Sequence, residues 1–294
     1  MDEEPLYAGL SGLEVGDMPI DFGHGITLSK TYAHIMSSVM LAFAKPSAPN
    51  QPHPGPWTAT ASGFGYDVDA QLAIPSSYTR VHMDRFQVAK SLVCLLRLWA
   101  DPEITFPVVA KYPFAELPTR PTSREQVAFA IEVHPRGFGL RLADKTNVIN
   151  SLGWVVTNWE SALDLMETSA EFKLAMEVFE VGQFNRSTAM TLVSLWGALE
   201  AIFSANTSEL RFRVSSMIAS YLYAAGQQRL ETQQQIAKLY DLRSAAAHGR
   251  PKHDGNQVLQ TFELFRKVLI RIIVNKRVPT RADLDNMLLG GVVG

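Results

Sequence analysis

The sequence predicts an α+β protein: a β-rich N-terminal module over residues 1–145, then an α-helical bundle over 146–294. Three observations carry this. The first 80 residues are rich in Gly, Pro, Ser and Thr, and their apolar residues fall in short strand-like runs. From about residue 146 the apolar residues recur at helical spacing almost to the end. Third, 294 residues with 47% hydrophobic and 19% charged content suffice for one large core or two modest ones.

In the N-terminal module, "ITLSKTYAHIMSSVMLAF" (26–43) has no decisive period, and its Thr, Tyr, Ile and Val content favours strands. The proline-rich "KPSAPNQPHPGPW" (45–57) cannot be helical and reads as a loop. "WTATASGFGYDVDAQLAIP" then reads as short strands punctuated by glycines. One helix interrupts the module near 84–100: Asp84 is placed to cap, and Phe86, Ala89, Leu92, Val93, Leu96 and Trp99 share a face. "ITFPVVAKY" and "EQVAFAIEVHPRGFGLRL" complete it as β-type segments, with a turn at Pro135–Gly139. In the second half, helices are expected near 148–166, 169–181, 187–205, 208–225, 229–247, 256–275 and 281–289. Gly182, Gly226 and Gly249 with Pro251 punctuate them.

Composition narrows the function. A net charge of −2 gives no global attraction to nucleic acid or membrane, so any such attraction must be local. There is no apolar run long enough to span a bilayer and no signal-peptide pattern, which makes a cytoplasmic protein the expectation. The one cysteine, Cys94, reads as a buried, reduced core residue. Phosphate-binding glycine loops, a nucleophile elbow and Cys/His metal spacings are all absent, and the seven histidines are scattered. Neither a metal nor an organic cofactor is expected.

The stretch "YDLRSAAAHGRPKHDG" (240–255) stands out. Asp241, Ser244 and His248 share a helical face, whereas Arg243 lies about 140° from His248 on a regular helix. The two converge only if His248 sits in the terminating turn, or if a second copy supplies the partner. A histidine there is favoured as its cation by the helix dipole, and imidazole suits proton transfer near neutral pH. The three alanines either reflect helix propensity or clear room for a ligand or another helix. An Arg-x4-His spacing is close to chance in a chain with seven histidines. Taken alone, the spacing favours a structural role, a His capping the terminal carbonyls beside a surface Arg.

The order of segments is more specific. "ALEAIF" (198–203), "ELRFRVSSMIA" (209–219) and "LYDLRSAAAHG" (239–249) together resemble the Apea-like HEPN proteins of prokaryotes over residues 185–275. Ala247 stands where those relatives often carry a β-branched residue. The resemblance implies a helical bundle pairing as a homodimer, with two Rx4–6H motifs meeting at the interface. It further implies metal-independent endoribonuclease activity in antiphage, abortive-infection or toxin–antitoxin defence, with RNA as substrate and an antitoxin or sensor as partner. By motif, Arg243 and His248 are the catalytic pair, and Glu200 is the polar residue that orients them. Asp241 and Ser244 are expected in support, the first to orient His248 and the second to bond phosphate. Arg250, with Arg266, Lys267 and Arg271 of a basic run at 266–281, is expected to bind RNA; a solvated helix face is the alternative. A non-catalytic module binding RNA, nucleotide or protein, or a helical dimerisation scaffold, fits the same residues.

Overall fold

The computed structural model describes residues 4–36, 42–43, 49–50, 56, 58–59, 65–120, 125–132, 139, 152–185, 187–203, 210–250 and 252–290. The chain is α+β: a six-stranded antiparallel sheet in the N-terminal half and eight helices, seven of them in the C-terminal half, among the described residues. It divides into two compact units, residues 1–89 with 104–135, and residues 90–103 with 136–294.

The sheet of the first unit runs β2-β3-β6-β1-β7-β8. Its strands are β1 (Leu6–Ser11), β2 (Ile20–Asp21), β3 (Thr27–Met36), β6 (Gly65–Ile74), β7 (Thr105–Ala110) and β8 (Ala128–Ala130). A separate two-residue pair joins β4 (Ala42–Phe43) to β5 (Thr58–Ala59). Among the described residues the ambiguous stretch forms β3 as far as Met36 and then β4, and the glycine-punctuated segment contributes β5 and the ten-residue β6. Register brings Leu6, Ala8 and Leu10 opposite Ile74, Leu72 and Ala70, so alternate apolar residues of neighbouring strands bury one common face. On the other face Gly9 is required by close approach: a Cβ there would lie 2.7 Å from Cζ of Phe114 and 2.9 Å from Val108. Most of the proline-rich loop and the expected Pro135–Gly139 turn lie outside the described residues.

Helix α1 (Arg85–Trp99) forms where its apolar spacing predicts. Asp84 caps it through Oδ1, which accepts from the Gln87 amide at 2.7 Å, while Gln87 Oε1 accepts from the Asp84 amide. The helix does not belong wholly to the N-terminal module, however. From Lys90 onward it is part of the helical unit, where Trp99 stacks on Trp154 at 4.4 Å and the buried Cys94 thiol meets the Met176 carbonyl. The reason is compositional: Leu92 to Leu98 are buried on nearly every side and need the larger apolar core. Burial also pushes the Cys94 thiol far up, keeping it protonated and unreactive.

The remaining helices are α2 (Gly153–Thr168), α3 (Ala170–Val181), α4 (Thr188–Phe203), α5 (Leu210–Leu222), α6 (Gln227–Ala247), α7 (Gly255–Asn275) and α8 (Arg281–Leu289). Caps fix several starts: Ser169 accepts from the Phe172 amide, and Asp254–Gln257 and Thr280–Asp283 are reciprocal capping boxes. Gly182 does not end α3 in a left-handed conformation, because the chain tightens there into a right-handed 3₁₀ turn over Gly182–Phe184. The central helix is α4, which packs against α3, α5, α6 and α7. Its sequence, TAMTLVSLWGALEAIF, holds a single charged residue, Glu200. That residue is the key to the site.

Candidate active site at the end of α6

A charged residue on a central, otherwise uncharged helix has to find a partner or be neutralised. Glu200 finds two on α6. Its Oε2 accepts from Nη2 of Arg243 at 2.8 Å, and its Oε1 accepts from the Tyr240 hydroxyl at 2.6 Å. The carboxylate and guanidinium side chains keep 18% and 23% of their exposure, so solvent reaches the pair only in part. Tyr240 is three residues before Arg243 and therefore on the same helical face. Its ring meets Trp196 of α4 edge-on at 5.2 Å and lies 5.5 Å from the Arg243 guanidinium carbon. Burial, followed by the bond to the Glu200 carboxylate, pushes the Tyr240 hydroxyl up to about 12. Nε of Arg243 and Nε1 of Trp196 are buried with no hydrogen-bond partner among the described residues.

His248 has a different environment. Helix α6 ends in a Schellman arrangement: the Gly249 amide donates to the Ala246 carbonyl at 3.1 Å and the Arg250 amide to Ala245 at 2.9 Å. Gly249 takes the left-handed φ of 71° that closes this motif. His248 is thus the C-cap, with φ −91° and ψ 17°, exposed at the negative end of the helix dipole. It sits in the terminating turn, but no hydrogen bond joins it to Arg243 among the described residues. The alanines beside it grade from half-buried Ala245 through buried Ala246 to exposed Ala247.

The supporting residues separate into distinct roles. Asp241 is engaged by α5 and makes no hydrogen bond to His248 among the described residues: both its oxygens accept from Arg211, from Nε at 2.7 Å and Nη2 at 2.9 Å. Ser244 is half-buried, and its carbonyl accepts the His248 amide at 3.2 Å. Arg250 is exposed beyond the cap. The expected basic run on α7 is not one face. Arg266 points inward: Nε donates to the Leu98 carbonyl at 2.5 Å and Nη2 to Trp99 at 3.1 Å, closing the C-terminus of α1. Burial lowers its proton affinity, as befits a structural brace. Arg271 donates to the Leu222 carbonyl at 3.2 Å, while Arg277 and Arg281 pair with Asp283 and Asp285 of α8. Exposed Lys267 lines an open groove of about 590 Å³ between α6 and α7, and none of Glu200, Tyr240, Arg243 or His248 reaches that groove. The acids that break the run lie just beyond residue 281, outside the window in which the sequence shows only cations.

Sequence reasoning missed Tyr240, Trp196 and Arg211. The first two carry a usable signal, since they stand one turn from Arg243 and Glu200 on the same helix faces. Arg211 carries none, because its partner is 30 residues away. Among the described residues no group of three or more His, Cys, Asp and Glu side chains is placed to hold a metal ion. No helix among them is long and apolar enough to cross a membrane. No family model matches the chain, and neither a curated protein nor a solved structure matches it.

Proposed function

We propose that the helical half is a HEPN-type, metal-independent endoribonuclease, active as a homodimer in antiphage, abortive-infection or toxin–antitoxin defence in the cytoplasm. One observation carries the reading: an arginine anchored by Glu200 and Tyr240 stands five residues before an exposed histidine that caps the same helix. An anchored guanidinium is a pre-oriented, permanently charged group for phosphate oxygens and for the charge that develops on a phosphorane. An exposed imidazole at a helix C-terminus is free to move a proton. Cleavage needs the 2′-hydroxyl deprotonated and the leaving 5′-oxygen protonated, and two facing copies of His248 divide these tasks. Glu200 acts through Arg243 as a positioning residue, and the N-terminal module receives the signal or partner that regulates cleavage.

The test compares wild type with Arg243→Ala and His248→Ala for RNA cleavage in EDTA and for toxicity on expression. Loss of both in each variant is expected. Undiminished cleavage by both variants overturns the assignment. Wild-type protein that binds RNA without cutting it, with Arg243→Ala weakening the binding, favours a non-catalytic binding module.

A further inference from the structure

Helix α5 begins with an unusual arrangement. Phe212, in its first turn, leaves 62% of its surface exposed. Its neighbour Arg211 reaches across to Asp241 of α6 through Nε and Nη2, which leaves Nη1 of the guanidinium without a hydrogen bond among the described residues. On α6, Asp241 and His248 lie only about 20° apart around the axis and about 10 Å apart along it. The Arg211–Asp241 bridge therefore fixes Arg211 on the stripe that leads to His248; Phe212 is the next residue in the same exposed first turn of α5, and exposed Arg250 lies just past the cap of α6. Asp241, the carboxylate of this stripe, is already occupied by Arg211.

We propose that this α5–α6 face is the track of the substrate strand: Phe212 is a stacking platform for an unpaired base, and Arg211 binds a phosphate on the approach to His248. The assignment rests on the ribonuclease reading above and specifies its substrate as single-stranded RNA. Three features favour it over a second protein copy as occupant. The platform is one ring flanked by charge, not an extended apolar surface of the kind a protein interface buries. The cations along the stripe complement a phosphate backbone. Stacking on an aromatic ring beside arginine is how proteins hold unpaired bases, which a duplex does not present. Arg211 thereby divides its labour: Nε and Nη2 are held by Asp241, which sets the position of the guanidinium, and Nη1 faces the ligand.

The test uses the full chain carrying His248→Ala, in EDTA, with a labelled single-stranded RNA and the same RNA annealed to its complement. Phe212→Ala is expected to weaken single-strand binding between about 5- and about 150-fold, the worth of stacking one base. Phe212→Leu, which keeps an apolar side chain, should remain weak, Phe212→Trp should restore binding, and duplex affinity should not move. Arg211→Gln should reduce the salt slope of single-strand binding by about 0.7. Unchanged affinity in Phe212→Ala and Phe212→Leu overturns the proposal while leaving the ribonuclease reading intact, provided the wild-type chain cuts RNA and the His248→Ala chain binds it. Conversion of a dimer into a monomer by Phe212→Ala, read by light scattering, also overturns it and assigns the ring to a copy–copy interface. A wild-type chain that neither binds nor cuts RNA refutes the ribonuclease reading itself.

Discussion

Glu200→Ala is the perturbation that bears most directly on the site. It removes the acceptor of two hydrogen bonds, 2.8 Å from Arg243 and 2.6 Å from Tyr240. Hydrogen bonds to a charged group contribute about 1.5–3 kcal/mol each. With 18% and 23% of the two side chains still exposed, water compensates in part, and the lower end applies. The expected loss is about 3 kcal/mol, reduced by a few tenths through the better helix propensity of alanine. For a unit of this size that lowers Tm by roughly 5–10 °C. Tyr240→Phe removes one of the bonds and should cost about 1.5 kcal/mol. Because both changes act on one network, the double variant should cost little more than Glu200→Ala alone. Urea unfolding followed by tryptophan fluorescence suits the measurement, since Trp196 packs on Tyr240. Additive single effects, or a Glu200→Ala midpoint equal to wild type, would refute the argument that the lone charge of α4 is held by α6.

Three further outcomes follow from the same geometry. Tyr240 titrates at about 12 in the folded chain against the ordinary value of 10.0, so its contribution is complete below pH 10 and is lost as pH rises through 12. The stability gap of about 1.5 kcal/mol between wild type and Tyr240→Phe should therefore largely close between pH 9 and pH 12, and a constant gap in paired urea melts would contradict it. Gly249→Ala should destabilise by about 1–2 kcal/mol from the φ of 71° alone, because an added Cβ meets nothing within 4 Å; Gly249→Asn should cost less, and equal urea midpoints for both would argue against strain at this cap. Arg266→Met should lower stability by about 1.5–3 kcal/mol by stripping the donors from the α1 carbonyls, with RNA affinity unchanged; weakened RNA binding in a fully stable variant would return Arg266 to the RNA surface.

How far the sequence discloses this molecule depends on the length scale of the signal. The seven C-terminal helices appear within a few residues of their expected limits because caps and 3.6-residue periodicity are local. The same holds for α1 and its Asp84 cap. Its division between units is not local: Leu92, Leu95, Leu96 and Leu98 announce burial but not which core buries them. At the site, the five-residue separation of Arg243 and His248 is plain in the chain, whereas the turn of Asp241 toward Arg211 depends on how α5 lies against α6. The basic run of residues 266–281 misleads for a related reason. Adjacent positions on a helix differ by about 100°, so Arg266 enters the bundle while Lys267 faces out.

The two motif residues obey different constraints, and this bears on how a site could be assembled. Arg243 is fixed by its own protomer: Glu200 has to be satisfied, α6 supplies the donors, and the guanidinium follows. Among the described residues nothing comparable holds the His248 imidazole, whose backbone caps α6 while its ring stays exposed. One half of the pair is thus pre-organised and the other is free to be positioned by what binds. Substrate alone, or a second copy facing the first, can supply that ordering, and the two differ in concentration dependence. If a second copy supplies it, cleavage per chain should rise with protein concentration until the dimer is saturated. Adding His248→Ala chains to wild type should then lower activity by more than dilution, because a mixed dimer holds only one of the two His248 copies that share the proton transfers. If substrate alone orders the ring, the wild-type chains in the mixture keep their full activity and specific activity is independent of protein concentration.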